Sequence, residues 1–96
     1  MTFVLQPSAR FVEQVRGLDE KGKRIVEQKL LAIKQNPFQF KPIHARNYKH
    51  VFRVRLHLKG IETRLIYVVL EPKIILVCLL ERKKDYRDLE KHLDKI

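Results

Sequence analysis

Apolar residues recur at helical spacing in the first third of the chain and at every second position in the last half. The opening segment, 1–6, alternates and predicts a short strand. Pro7 is expected to end this strand and can open a helix, because its missing N–H is not needed in the first helical turn. The 3.6-residue spacing of apolar residues then predicts a first helix over 8–16.

A second helix is predicted after Gly17 breaks the first. Asp19 is a typical N-cap residue, and the apolar positions that follow it again recur at helical spacing. Asn36 and Pro37 should end this helix, because the residue before proline avoids the helical conformation. The short connection predicts an antiparallel helical hairpin, and 37–46, which has no clear period, is interpreted as a loop.

The pattern changes to alternation in the second half of the chain. Residues 51–58 predict a strand with one apolar and one basic face, and 59–60 form a tight turn. Residues 62–69 predict the next strand, and the proline-containing turn 71–73 ends it. The run 74–80 is apolar on both faces, which is typical of a central strand.

The order of elements predicts an α+β fold of the type β-α-α-β-β-β. The helical hairpin should pack on one face of a small, mainly antiparallel sheet. Residues 85–93 are highly charged and predict a short C-terminal helix. The length, 96 residues, suits a single domain over 1–96.

Charge changes this picture most. Twenty-one Lys and Arg face eleven Asp and Glu, so the net charge is +10. Such a chain attracts polyanions: nucleic acid, an acidic protein or anionic lipid. A lone cysteine allows no internal disulfide and indicates a reducing cytoplasm. The longest apolar run is too short to span a bilayer, so we expect no membrane partner.

Candidate chemistry follows from strand alternation. Arg53, Arg55 and His57 should project from one strand face, and Arg64 should join them if the hairpin register matches. Clustered guanidinium groups suit phosphate, because each offers two parallel charge-assisted hydrogen bonds. The alternative is a solvated outer face with no ligand. The four histidines have no metal-ligand spacing, so no metal and no small-molecule cofactor is expected.

A second basic segment, 81–87, directly follows the apolar strand 74–80. A cationic stretch that ends in tyrosine can hold phosphate and stack a base on the ring. The alternative is a charged turn whose tyrosine packs on the final helix. The candidates for RNA contact are Lys49, Lys83, Lys84 and Arg87.

The segments 51–56 (VFRVRL) and 63–67 (TRLIY), followed by an apolar strand, Arg82 and Tyr86, resemble the RelE/ParE toxin superfamily. The resemblance covers nearly the whole chain and implies its RelE-type branch. Such toxins cleave mRNA, usually on the ribosome and without metal, by attack of the RNA 2′-hydroxyl on the adjacent phosphate. The products are a cyclic phosphate and a free 5′-hydroxyl.

The resemblance also implies a role for each matching residue. Arg53 and Arg55 would hold the phosphate and assist proton transfer, and Arg64 would stabilise the transition state. Arg82 would assist the leaving oxygen, and Tyr86 would orient a base. Familiar members carry lysine at the paired positions, and arginine does not deprotonate in proteins. His57 and Glu62 are therefore the candidate proton carriers.

Two other functions stay open. A ParE-like protein would inhibit DNA gyrase without nuclease activity, and a catalytically silent relative would only bind nucleic acid. The resemblance and the charge imply a cognate acidic antitoxin, RelB-like, as protein partner, beside mRNA and the ribosome.

Overall fold

The computed structural model describes residues 2–81 and 89–95. Its elements are β1 (Val4–Pro7), α1 (Ala9–Arg16), α2 (Glu20–Gln35), β2 (Lys41–Ile43), β3 (Val51–Leu58), β4 (Ile61–Leu70), β5 (Lys73–Glu81) and α3 (Leu89–Asp94). The predicted α+β class and the predicted order of helices and strands are confirmed, with one strand, β2, that was not expected. Of the predicted final helix, residues 85–88 lie outside the described residues.

The first helix begins one residue later than predicted. Pro7 is the last residue of β1 and not the first of the helix, and Ser8 is the N-cap. The Ser8 hydroxyl accepts a hydrogen bond from the Phe11 N–H at 3.0 Å and donates one to the Val77 carbonyl at 2.6 Å. Ser8 therefore both caps the helix and ties its start to the sheet.

The second helix begins as predicted. The Asp19 carboxylate accepts a hydrogen bond from the Gly22 N–H at 2.8 Å, and Asn36 ends the helix. Gln14 holds the helical hairpin to the sheet. Its side-chain Nε2 donates a hydrogen bond to the Leu79 carbonyl at 2.8 Å, and its Oε1 accepts one from the Leu79 N–H at 2.7 Å.

In the part of the chain that the structure describes, every helix falls short of the length and apolar character needed to cross a bilayer.

The five strands form one mixed sheet in the order β1-β5-β4-β3-β2. Strand β1 runs parallel to β5, and the other neighbours are antiparallel. Strand β5 lies between β1 and β4, as its apolar character on both faces predicted.

The loop interpretation of 37–46 was wrong for residues 41–43. Lys41 pairs with Arg53, and Ile43 pairs with Val51, so this short segment is the edge strand β2. Pro42 is tolerated there because an edge strand has a side on which no N–H is required. Three residues with a proline have too little alternation to predict a strand.

The β3–β4 turn sets the register of the hairpin. Lys59 and Gly60 have φ of 54° and 75°. Two consecutive positive φ values are typical of the two-residue hairpin turn whose twist matches the flanking strands, and glycine adopts such a φ without strain. Leu58 consequently pairs with Ile61, and every pair further along the hairpin follows.

The helical hairpin covers one face of the sheet. The buried residues of this cluster are Phe11, Val26, Ile33, Phe52, Val54, Leu56, Leu58, Leu65, Tyr67, Val69, Ile74, Leu76 and Leu79. The Tyr67 ring stacks on Phe52 at 5.4 Å, and its hydroxyl donates a 2.6 Å hydrogen bond to the Pro37 carbonyl. That bond connects the end of the hairpin to the centre of the sheet.

The opposite face carries a second apolar cluster. It consists of Ala45, Val51, Ile66, Val68, Val77, Cys78, Leu89 and Leu93, so α3 covers this part of the sheet. A bulge in β5 lets two adjacent residues, Val77 and Cys78, belong to this cluster, because Ile66 pairs with Cys78 while Tyr67 pairs with Leu76.

Because Val51 also belongs to this cluster, the face of β3 predicted to be basic is apolar at its Val51 end and basic beyond it.

Two buried acidic groups predict how stability responds to alkaline pH. Burial raises the pKa of the Cys78 thiol from 9.0 to about 12, against a smaller lowering by Arg10. Burial also raises the pKa of the Tyr67 phenol. The folded chain thus keeps protons that the unfolded chain has lost, and the free energy of unfolding should fall as the pH rises above 9.0.

The measurement is denaturant unfolding at a series of alkaline pH values. Each retained proton adds a slope of about 1.4 kcal/mol per pH unit between its unfolded and folded pKa. The double variant Cys78→Ala, Tyr67→Phe should lose most of this slope, whatever its stability at neutral pH. Equal slopes in the two proteins would contradict the assignment.

Candidate nucleic-acid interface

Three arginines lie together on the outer face of the β3–β4 hairpin. Arg53 and Arg55 alternate with buried apolar residues of β3, and Arg55 lies directly opposite Arg64 of β4. His57 lies directly opposite Glu62 on the same face. We call these five residues the arginine face. The predicted meeting of Arg64 with the β3 arginines is confirmed by the register.

Arg55 and Glu62 form an ion pair across the arginine face. Arg55 Nε lies 3.6 Å from Glu62 Oε1, and the two side chains are 63% and 21% exposed. An ion pair so open to solvent contributes little to stability, typically about 0.2–1 kcal/mol. It leaves Arg55 accessible to an anion, and one carboxylate stands among three guanidinium groups. The face thus keeps an excess of positive charge.

The cross-strand pair Arg55–Arg64 places like charges opposite each other. Like charges directly opposite each other destabilise a hairpin, and Glu62 offsets part of this effect at Arg55. Arg64 is half-buried, and its Nε is shielded from solvent. A phosphate between the two strands would bring negative charge close to both guanidinium groups. The geometry is therefore suited to binding a phosphodiester.

The remaining predicted residues have different outcomes. Lys49 is exposed in the bend that leads into β3 and is not part of a strand. Glu81, the last residue of β5, pairs with Thr63, so the chain leaves the sheet beside Arg64. The predicted residues Arg82, Lys83, Lys84, Tyr86 and Arg87 lie outside the described residues, and their roles stay predictions.

The sequence analysis missed two cations near this face. Lys41 lies opposite Arg53 across the β2–β3 pair, which puts it on the same side of the sheet. Lys29 of α2 and Lys41 line a groove of about 450 Å³ together with Arg53 and Arg55, and Phe40 and Val54 add apolar surface. We call it the basic groove. Lysine is common on edge strands, but this rule can be applied to Lys41 only after β2 is known to be a strand.

Other chemistry has less support at this site. Among residues 2–81 and 89–95, no group of three His, Cys, Asp or Glu side chains is placed to share a metal ion. Cys78 is buried beneath α3, and its raised pKa keeps it as an unreactive thiol. The arginine face therefore offers three guanidinium groups and one histidine–glutamate pair across the strands.

Comparison with known proteins gives relatives by structure alone. No family model matches the sequence. No curated protein matches it either. A free double arginine-to-alanine mutant of the E. coli toxin RelE is similar with a TM-score of 0.77 and 15% identity, over 100% of this chain and 99% of that chain.

Two further solved structures are similar. The isolated E. coli RelE toxin has a TM-score of 0.66 and 16% identity, over 97% of this chain and 99% of that chain. The intact E. coli RelBE toxin–antitoxin complex has a TM-score of 0.63 and 19% identity, over 83% of this chain and 95% of that chain. The resemblance to the RelE/ParE superfamily is confirmed for the fold, and the chain has the fold of the E. coli toxin RelE.

Proposed function

We propose that the chain is the toxin of a type II toxin–antitoxin pair and inhibits translation as a metal-independent mRNA endoribonuclease on the ribosome. One observation carries the proposal: Arg55 and Arg64 face each other across the hairpin, with Arg53 on the same face. The fold shared with the RelE toxin supports the same function. The net charge of +10 favours a polyanionic substrate.

The proposed reaction needs no nucleophile from the protein. The RNA 2′-oxygen attacks the adjacent phosphorus and loses its proton, while the bond from phosphorus to the 5′-oxygen breaks and that oxygen gains a proton. The products are a 2′,3′-cyclic phosphate and a 5′-hydroxyl. Negative charge grows on the phosphate oxygens as the fifth bond forms, and fixed guanidinium groups stabilise that state more than the ground state.

Each arginine has a proposed role. Arg53 and Arg55 hold the phosphate, and Arg64 stabilises the five-bonded transition state from the opposite strand. By resemblance alone, Arg82 assists the leaving oxygen and Tyr86 orients a base. The further cations proposed to contact RNA are Lys49, Lys83, Lys84 and Arg87.

The test is to add the purified chain to translating ribosomes and map the ends of the mRNA. Cuts spaced by codons, with cyclic phosphate ends, are the expected result. Inhibition of gyrase supercoiling without cuts would instead favour a ParE-like function. RNA binding without either activity would favour a catalytically silent relative.

An acidic, RelB-like antitoxin is the proposed protein partner. One similar structure is a toxin–antitoxin complex. The positive charge of the arginine face is complementary to that of an acidic protein. A reducing cytoplasm, where mRNA and ribosomes are found, is the proposed location. The open reading frame beside this one should encode a short acidic protein that binds the chain and stops the cleavage.

Proton transfer is proposed to involve His57 or Glu62, which lie opposite each other at the end of the arginine face. If one of them is the base, its replacement in His57→Ala or Glu62→Gln should slow cleavage by about 10²–10⁴-fold. The pH–rate profile identifies the base. The base is the residue whose replacement removes the acidic limb of the wild-type profile.

Lys59→Ala, in the exposed turn between the two strands, is the matched control and should keep the wild-type profile. Unchanged rates and profiles in both variants would remove His57 and Glu62 from the mechanism. Proton transfer would then have to use water or another group at the site.

A further inference from the structure

The basic groove begins where the edge strand β2 stops. Strand β2 pairs with residues 51–53 of β3 only, so Lys41 and Arg53 form the last pair. Within the described residues, no strand pairs with the outer edge of β3 beyond Arg53. The groove of about 450 Å³ lies at this edge, between α2 and β3.

The basic groove is continuous with the arginine face. Arg53 and Arg55 belong to both, since they line the groove and share the outer face with Arg64. Lys29 and Lys41 extend the positive charge from the β3–β4 hairpin toward α2. Among the described residues, no acidic side chain lines the groove. A ligand that reaches both sites therefore needs negative charge at more than one point along its length.

Two apolar residues, Phe40 and Val54, also line the groove. Phe40 lies edge-on to Tyr67 with the ring centres 6.5 Å apart, and Val54 is buried beside it. A sugar or base can pack on the exposed part of the Phe40 ring while its phosphates meet the surrounding cations. Repeating charge combined with flat apolar groups is characteristic of single-stranded nucleic acid and fits RNA better than an acidic peptide.

We infer that the RNA backbone continues from the arginine face around the β3 edge into the basic groove, where Lys29 and Lys41 bind phosphates next to the scissile one. This rests on the proposed function and extends it by naming a flanking subsite. Lysine is suited to this task as a mobile point charge that positions the backbone without reading sequence. The subsite should therefore add affinity equally for different RNA sequences.

The experiment measures binding of a 2′-O-methyl RNA of about ten nucleotides, which cannot undergo the 2′-oxygen attack. The variant is Lys29→Gln, Lys41→Gln. The control is Lys34→Gln, Lys73→Gln, which removes the same charge from exposed positions outside the groove. Each lost phosphate contact lowers the slope of log affinity against log salt by about 0.7 for single strands, so the groove variant should lose about 1.4.

The control should lose much less of this slope, and thermal unfolding should show both double variants folded. A 2′-O-methyl dinucleotide, with one phosphate, should bind the wild type and the groove variant alike. Equal slopes in the groove variant and the control, or a slope unchanged from wild type, would overturn the inference. Weakened binding of an acidic protein with unchanged RNA binding would overturn it too and assign the groove to protein docking.

The uncleavable probe separates this result from the nuclease proposal. If the slope falls as expected but ribosomes show no cuts, the RNA subsite stands and the proposed cleavage fails. If cuts appear with normal spacing while the slope is unchanged, the cleavage stands and the subsite fails.

Discussion

Replacing Arg64 with alanine should slow mRNA cleavage by about 10²–10³-fold, a loss of about 2.7–4 kcal/mol of transition-state stabilisation, the cost of removing one fixed donor. Arg64 lies across from Arg55, where a phosphate bound to the arginine face would carry its growing charge. The loss should appear in kcat more than in KM, because the interaction strengthens as the fifth bond to phosphorus forms.

Folding should survive the Arg64→Ala change, because Arg64 lies on the arginine face and belongs to neither apolar cluster. Arg64→Lys keeps the charge but loses the two-pronged geometry, and its rate should lie between those of wild type and alanine variant. The matched control is Arg24→Ala, an exposed arginine of α2 outside the arginine face. Cleavage by Arg64→Ala at the rate of this control would contradict the electrostatic role.

The second large effect concerns stability. Ile33 of α2 is 0% exposed and packs in the cluster between the helical hairpin and the sheet. Ile33→Ala should lower the free energy of unfolding by about 2–5 kcal/mol, because it loses buried apolar surface and leaves a cavity. For a domain of this size each kcal/mol corresponds to a fall in Tm of about 4–8 °C.

The same helix supplies the control for this measurement. Leu31 is 61% exposed, so Leu31→Ala truncates a side chain of similar size that is mostly in contact with solvent. This change should alter the free energy of unfolding by less than about 0.5 kcal/mol. Ile33→Val, which removes one methylene, should cost about 0.5–1.5 kcal/mol. If Ile33→Ala and Leu31→Ala unfold at the same denaturant concentration, the hairpin does not pack on the sheet as described.

Local signals in the sequence predicted the elements that form the arginine face. Alternation from residue 51 onward put Arg53 and Arg55 on one side of a strand, because side chains of a strand point to opposite faces in turn. Lys59-Gly60 predicted a tight turn. A two-residue turn leaves little freedom in register, so Arg64 was expected to approach this group if the register matched, and the structure shows that it does.

Residues that depend on distant partners were predicted less well. Strand β2 has three residues and a proline, and it forms because β3 offers it an unpaired edge. Pro7 carries the same ambiguity, since it can end a strand or open a helix. In the structure Pro7 ends β1, and the adjacent Ser8 hydroxyl donates a hydrogen bond to the carbonyl of Val77, which lies 69 residues away along the chain.

Periodicity alone specified the helices, the hairpin strands and the side of β3 on which the arginines lie, because these depend on neighbours a few residues apart. The order of strands, the second apolar cluster under α3 and the approach of Lys29 and Lys41 to Arg53 were decided by tertiary structure. Such contacts join segments that are far apart in the chain, and their pairing depends on which apolar surfaces and strand edges remain to be covered after the local elements form.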